Sequence, residues 1–197
     1  MVLMTFQHKN VVNVLNKQGK YYCEVNSLYS EEAPKMYQYL KELITEKTGV
    51  SSKPIFGWSR LLDCQNNSID LSSPSYDSIY QAISKVPYHG DSYYLFILDV
   101  PDNLIVHHDF YDFACFKADE FEELCTDEDL KNFIYNSVIS DKRDTQSCFP
   151  YIDKSFVIGV YEFCVERIDG VKISDLMFRE IDWCNKDNRF IEPSYVF

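Results

Sequence analysis

The chain has 197 residues, with 19 Lys plus Arg against 31 Asp plus Glu, for a net charge of −12. Apolar residues make up 46% and aromatics 16%, enough to bury a core, which excludes disorder as the main description. The negative field has the wrong sign for a protein that reads duplex phosphates with a basic face.

The length fits one domain spanning residues 1–197. The longest apolar run, Tyr93 to Leu98, is far short of the roughly 20 residues a helix needs to cross a bilayer. The opening residues, Met1 to Lys9, show no basic leader ahead of an apolar segment, so no secretory signal is read there. The seven cysteines are an odd count, and no two form a Cys-x-x-Cys pair. That disfavours a zinc ribbon or a redox motif and fits small buried thiols in a reducing cytoplasm.

In chain order, Met1 to Gln7 is short and apolar and reads as a first strand. Asn10 is placed to cap a helix from Val11 to Lys17, with Val11, Val12 and Leu15 on one face and Gly19 as the stop. A stronger helix starts at Ser30. Met36, Leu40, Leu43 and Ile44 recur at helical spacing, Glu31 and Glu32 suit its N-terminal dipole, and Gly49 ends it. Pro54 to Trp58 reads as a short strand or extended segment. Cys64 to Ser75 reads as loop, and Ile79 to Val86 as a short helix.

Tyr93 to Val100 is the clearest strand signal, bounded by Gly90 and Pro101. Pro101-Asp102-Asn103 is a turn signal, and Leu104 to His107 is expected to return as its hairpin partner. Acidic helices are expected at Asp119–Leu124 and Asp127–Val138, the second capped by Thr126. Ser140 to Cys148 is polar and reads as loop. Phe156 to Ile168 is helix or strand by composition. Asp169-Gly170 is a hairpin turn signal between Ile168 and Val171, with Phe178, Ile181 and Trp183 in the last strand region. Helices and strands mix without βαβ alternation. The expected class is α+β, with a twisted, mainly antiparallel central sheet flanked by helices.

With six glycines, neither a dinucleotide fingerprint nor a phosphate-binding P-loop can be assembled. His107-His108-Asp109 is the densest group of metal-competent side chains. Neighbours on a strand point to opposite faces, so His107 and His108 cannot share an ion without a bulge, and no metal site is read. Asp109 and Asp112 are three apart. They read either as a general base with a ribose-binding acid or as a cap with a solvated neighbour. Trp58 reads either as a stacking platform or as partly buried core. Fifteen Tyr beside a charge of −12 suit contact with a basic protein.

Several segments, taken in order, resemble the bacterial domain-of-unknown-function 3841 family. Met4-Thr5-Phe6-Gln7 and Gly19 are similar to its opening Trp-Thr-x-Gln strand, helix and Gly, with Met4 in place of Trp. Met36-Tyr37-Gln38-Tyr39 and Pro54-Ile55-Phe56-Gly57-Trp58 resemble its next two motifs. Asp70-Leu71 matches its Asp-Leu-Arg, except that Ser72 replaces the Arg. Pro101 through Asp112 and Phe178-Arg179-Glu180-Ile181 resemble its later motifs. The resemblance implies no established activity. Its layout is a loose analogue of ADP-ribosyltransferase folds, which imply an NAD cleft. Gln7 would hold the ribose or amide, Trp58 would stack, and Glu180 would stabilise the developing positive charge. Asp109 would join the catalytic groups, and Thr5, Asp70 and Asp112 the cofactor-binding ones.

Two functions therefore stand as expectations. The first is an intracellular protein that recognises and modulates another protein, of the kind phages and mobile elements carry. It would use an acidic, Tyr-rich surface and no cofactor. The second is an NAD-dependent transfer enzyme built on the residues just named.

Overall fold

In β1 (Val2–His8), Leu3 and Thr5 are buried on one face and Met4 on the other. A strand buried on both faces belongs in the middle of a sheet rather than at its edge. The structure is a computed structural model that describes residues 1–23, 34–58, 93–109, 145–168 and 172–184, with Thr126 and Glu128.

Helix α1 (Asn10–Gln18) buries Val11 and Leu15. The sequence pointed to Asn10 as its cap, but Asn10 is the first helical residue and Lys9 holds the cap position. The His8 ring does part of the capping work, with Nδ1 accepting from the Asn10 amide at 3.2 Å. Gly19 ends the helix with φ +76° and donates its N–H to Leu15 O at 2.9 Å. β2 (Lys20–Tyr22) follows directly. Helix α2 (Pro34–Thr48) buries Met36, Leu40, Leu43 and Ile44, the stripe its spacing foretold, and Tyr37 besides. Ser30, Glu31 and Glu32 lie outside the described residues.

The remaining strands are β3 (Ile55–Trp58), β4 (Tyr93–Asp99), β5 (Val106–Asp109), β6 (Thr145–Phe149), β7 (Tyr151–Asp153), β8 (Val157–Ile168) and β9 (Lys172–Glu180). Seven of the nine strands among the described residues form one sheet in the order β5-β6-β3-β1-β4-β8-β9. Every neighbouring pair in it is antiparallel. β2 and β7 pair separately. The fold is α+β with an antiparallel central sheet, as the sequence indicated.

Among the described residues, α1 packs on one face of the sheet and α2 on the other. Val11 and Leu15 of α1 pack with Leu3, Ile55, Phe96, Leu98, Phe149 and Val160. On the other face, Met36, Leu40, Leu43 and Ile44 of α2 pack with Phe56, Val106 and Cys148. Fully burying each such side chain contributes about 1.5–3 kcal/mol. Burial pushes the Cys148 thiol far up, so it stays protonated and serves as a small apolar filler. Cys148 and Cys184 carry free thiols.

Two strand expectations need correction. β4 is central as foreseen, but its neighbours are β1 and β8. Residues after Pro101 form a short 3₁₀ turn (Asp102–Leu104), and β5 then pairs with β6 at the sheet edge. Lys47 of α2 donates to Ile105 O and holds this return against the helix. The polarity of Ser140–Cys148 suggests a loop, yet Thr145–Phe149 is a strand between β5 and β3. Its polar groups are satisfied across strands, Gln146 with His108 and Ser147 with His107.

β8 resolves the ambiguity of Phe156–Ile168 as strand. Ile168 stands opposite Lys172. Asp169-Gly170 itself lies outside the described residues. So do Cys64–Ser75, Ile79–Val86 and, apart from exposed Thr126 and Glu128, the acidic segments 119–138.

Candidate functional site

The C-terminal end of α1 is tied to distant parts of the chain. Gly19 O accepts from the Lys154 backbone N–H at 2.8 Å. Asn16 donates to Trp183 O at 2.8 Å and accepts from Lys154 Nζ at 2.8 Å. β2 lies against β7, with Lys20, Tyr21 and Tyr22 opposite Asp153, Ile152 and Tyr151. Buried Ile152 anchors this small sheet in the α1 core.

These ties frame an open hollow of about 700 Å³, lined by Gln18, Gly19, Lys20, Tyr22, Asp153, Lys154 and Ser155. Tyr22 is 44% exposed, with its ring 5.5 Å from that of Tyr151. Phe156 stacks on Tyr151 at 5.8 Å. Tyr22, Tyr151 and Phe156 thus form a run of neighbouring rings whose first member, Tyr22, is exposed. Asp153 is occupied internally. Its Oδ1 accepts from the Ser155 N–H at 2.9 Å and from the Ser155 hydroxyl at 2.7 Å, and Lys20 Nζ lies 3.6 Å from Oδ2. Burial works against ionisation of Asp153, but the Ser155 bonds and Lys20 outweigh it and hold the carboxyl below its usual value. Lys20 Nζ also sits 4.6 Å from the Tyr151 ring centre, and Lys154 Nζ 5.5 Å from that of Trp183.

The residues singled out from the sequence fall elsewhere. Trp58 stands opposite Met4, which pairs across with Ile97. Trp58 is 6% exposed and is core. Gln7 stands opposite Tyr94, which stands opposite Glu162, one position out of phase with Met4. Strand alternation therefore puts Gln7 on the α1 face and Trp58 on the α2 face. Glu180 stands opposite Tyr161 and so shares the Trp58 face. It is exposed on the edge strand, four strand spacings from β3, or about 19 Å at about 4.8 Å per strand. Burial and, second, the Glu180 charge raise the Tyr161 hydroxyl pKa. Gln7, Trp58 and Glu180 are not brought to one cleft.

Thr5 and Gln7 do meet. Gln7 Nε2 donates to Thr5 Oγ1 at 2.7 Å, and Thr5 Oγ1 donates to Phe56 O at 2.6 Å. This relay ties β1 to β3. Asp109 ends β5 opposite Thr145, at the far edge of the sheet from Glu180. Asp70 and Asp112 lie outside the described residues.

No family model, curated protein or solved structure matches this chain. The site therefore has to be read from its own residues. His107 and His108 point to opposite faces, as their adjacency requires. His107 Nδ1 lies 2.8 Å from Ser147 Oγ, and His108 Nε2 lies 2.9 Å from Gln146 Oε1. Among the described residues, no three His, Cys, Asp or Glu side chains are grouped to hold a metal. Also among them, no helix is long and apolar enough to cross a membrane. Ser147 is fully buried, so its pairing with His107 ties β6 to β5 and presents no accessible nucleophile.

The hollow was not legible in the sequence. Lys20-Tyr21-Tyr22 and Asp153-Lys154-Ser155 each carry a weak local signal. Only Asp153-x-Ser155, a side chain bonding two residues on, has a recognisable turn chemistry.

Proposed function

We propose that the chain recognises another protein, and that the hollow beside Tyr22 is the centre of the contact. The observation that carries this reading is an exposed tyrosine beside a stacked aromatic pair. Tyrosine supplies large contact area at little cost in side-chain entropy, and aromatic anchors dominate protein interfaces. The Tyr22 ring lies beside Tyr151, which is itself stacked on Phe156, so part of its ordering is already supplied before binding. The charge of −12 favours approach of a partner whose overall surface is basic. Modulation of that partner follows from occupying its surface and calls for no cofactor.

The test is selection of a displayed random-peptide library on the whole chain, with counter-selection on Tyr22→Ala. The reading expects peptides that bind the wild type at least about tenfold tighter than the variant, the loss typical of a truncated hot-spot aromatic. A library that yields only peptides indifferent to Tyr22→Ala removes the hollow from recognition.

A further inference from the structure

The chemistry of the hollow differs in sign from the chain as a whole, and that difference narrows what can enter it. Among the described residues, its lining includes two lysines, Lys20 and Lys154, and one aspartate, Asp153. Asp153 already takes two hydrogen bonds from Ser155 and the charge of Lys20. Its capacity to accept from a ligand is largely spent. The donors are not spent. Lys154 Nζ makes one hydrogen bond, to Asn16. Lys20 Nζ stands 3.6 Å from Asp153 and over the Tyr151 ring, with its donors free to turn. An ammonium has three donors, so both lysines keep capacity for an incoming acceptor. Gly19 leaves open space over the floor, since a Cβ there would meet nothing within 4 Å.

The geometry points to an anionic anchor. The hollow takes the carboxylate of an acidic side chain on the partner polypeptide, held between Lys20 and Lys154, with the adjoining residue of that segment against the Tyr22 ring. This rests on the protein-recognition reading and specifies the chemistry of its central contact. A partner that is basic overall and presents one acidic anchor satisfies both fields. The distant acidic charges act on approach and are screened over about 8 Å at 0.15 M salt, whereas the two lysines act in contact.

The experiment titrates the isotope-labelled full chain, at physiological salt, with four probes. They are a short capped peptide bearing Tyr and Glu, its Gln counterpart, its Lys counterpart, and inorganic phosphate. The Glu peptide is expected to shift the amides of residues 18–22 and 153–155. The Gln peptide should bind about tenfold more weakly, the order of one lost charge-assisted contact. Lys154→Gln and Lys20→Gln should each weaken the Glu peptide and leave the Gln peptide unchanged. Lys154→Gln spares the Asp153 pair, so a fault in folding of Lys20→Gln does not decide the outcome. Equal binding of Glu and Gln peptides, or tighter binding of the Lys peptide, overturns the anionic anchor. Phosphate that gives the same shifts with equal affinity shows a general anion site and overturns the polypeptide assignment. Library peptides that depend on Tyr22 yet ignore both Lys→Gln changes overturn this inference and leave recognition standing.

Discussion

Trp58 stands directly opposite Met4, so the two side chains share a face of the sheet, while Gln7, three residues beyond Met4, projects from the other. The sheet itself separates the tryptophan from the glutamine. Trp58 is a packing residue, and Gln7 belongs to a local relay through Thr5 to Phe56 O.

Their substitutions should differ accordingly. Trp58→Ala removes a side chain that is 6% exposed and should cost about 3–5 kcal/mol, the range for emptying a large aromatic site. Gln7→Ala removes one hydrogen bond from a half-buried side chain and should cost about 0.5–1.5 kcal/mol. Urea unfolding of the two variants measures both. Equal losses would contradict the placement of these residues on different faces with different burial.

Gly19→Ala should destabilise the chain by about 1–2 kcal/mol. The cause is the backbone alone, because φ is +76° and the new methyl would meet nothing. Gly19→Asn should cost less, since asparagine visits the left-handed region more readily. The same residue shapes the hollow. Both variants should therefore lower peptide binding in proportion to their loss of order at residues 18–20, read from amide exchange.

His107 supplies a pH test. Burial first, and the charge of Lys47 second, hold its pKa below the ordinary 6.5, while Asp102 acts weakly the other way. The unfolded chain therefore binds more protons than the folded one between the folded pKa and 6.5. Stability from this group is fully present above pH 6.5 and declines as the pH falls towards the folded value. His107→Asn keeps a partner for Ser147 and removes the titration. The fall in urea midpoint between pH 8 and pH 5 should be smaller in His107→Asn than in the wild type. An unchanged slope would place the titration elsewhere.

Much of the fold was legible because amphipathic spacing is a local property. The stripe of Met36, Leu40, Leu43 and Ile44 foretells α2, and the β-rich run from Tyr93 foretells a central strand. β6 was not legible, because Thr145-Gln146-Ser147 is polar and its partners are histidines on a strand some forty residues earlier. Composition reports polarity, and only the cross-strand register reports that it is satisfied. The placement of the candidate site residues was not legible for the same reason. Whether Gln7, Trp58 and Glu180 converge depends on pairing across β3, β1, β4, β8 and β9, which no single segment records. The hollow depends on β2 meeting β7, a pairing between segments far apart in the chain.

The last prediction concerns NAD. A nucleotide that binds the folded chain at one hundred times its Kd stabilises it by about 2.7 kcal/mol, which a thermal melt reads as a shift of several degrees. Gln7 spends its amide on Thr5 and faces away from Trp58, whose ring is buried. Glu180 is exposed on the edge strand about 19 Å from the tryptophan strand. These groups cannot grip one nicotinamide riboside in this arrangement. The expected outcome is that millimolar NAD leaves the melting temperature of the wild type unchanged. Glu180→Gln should melt with the wild type, because an exposed carboxylate with no ion pair among the described residues contributes little. Trp58→Ala alone should melt early, with and without NAD. An NAD-dependent rise in the wild type that Glu180→Gln or Trp58→Ala abolishes would restore the transfer-enzyme reading, and would require a rearrangement that brings β9 towards β3.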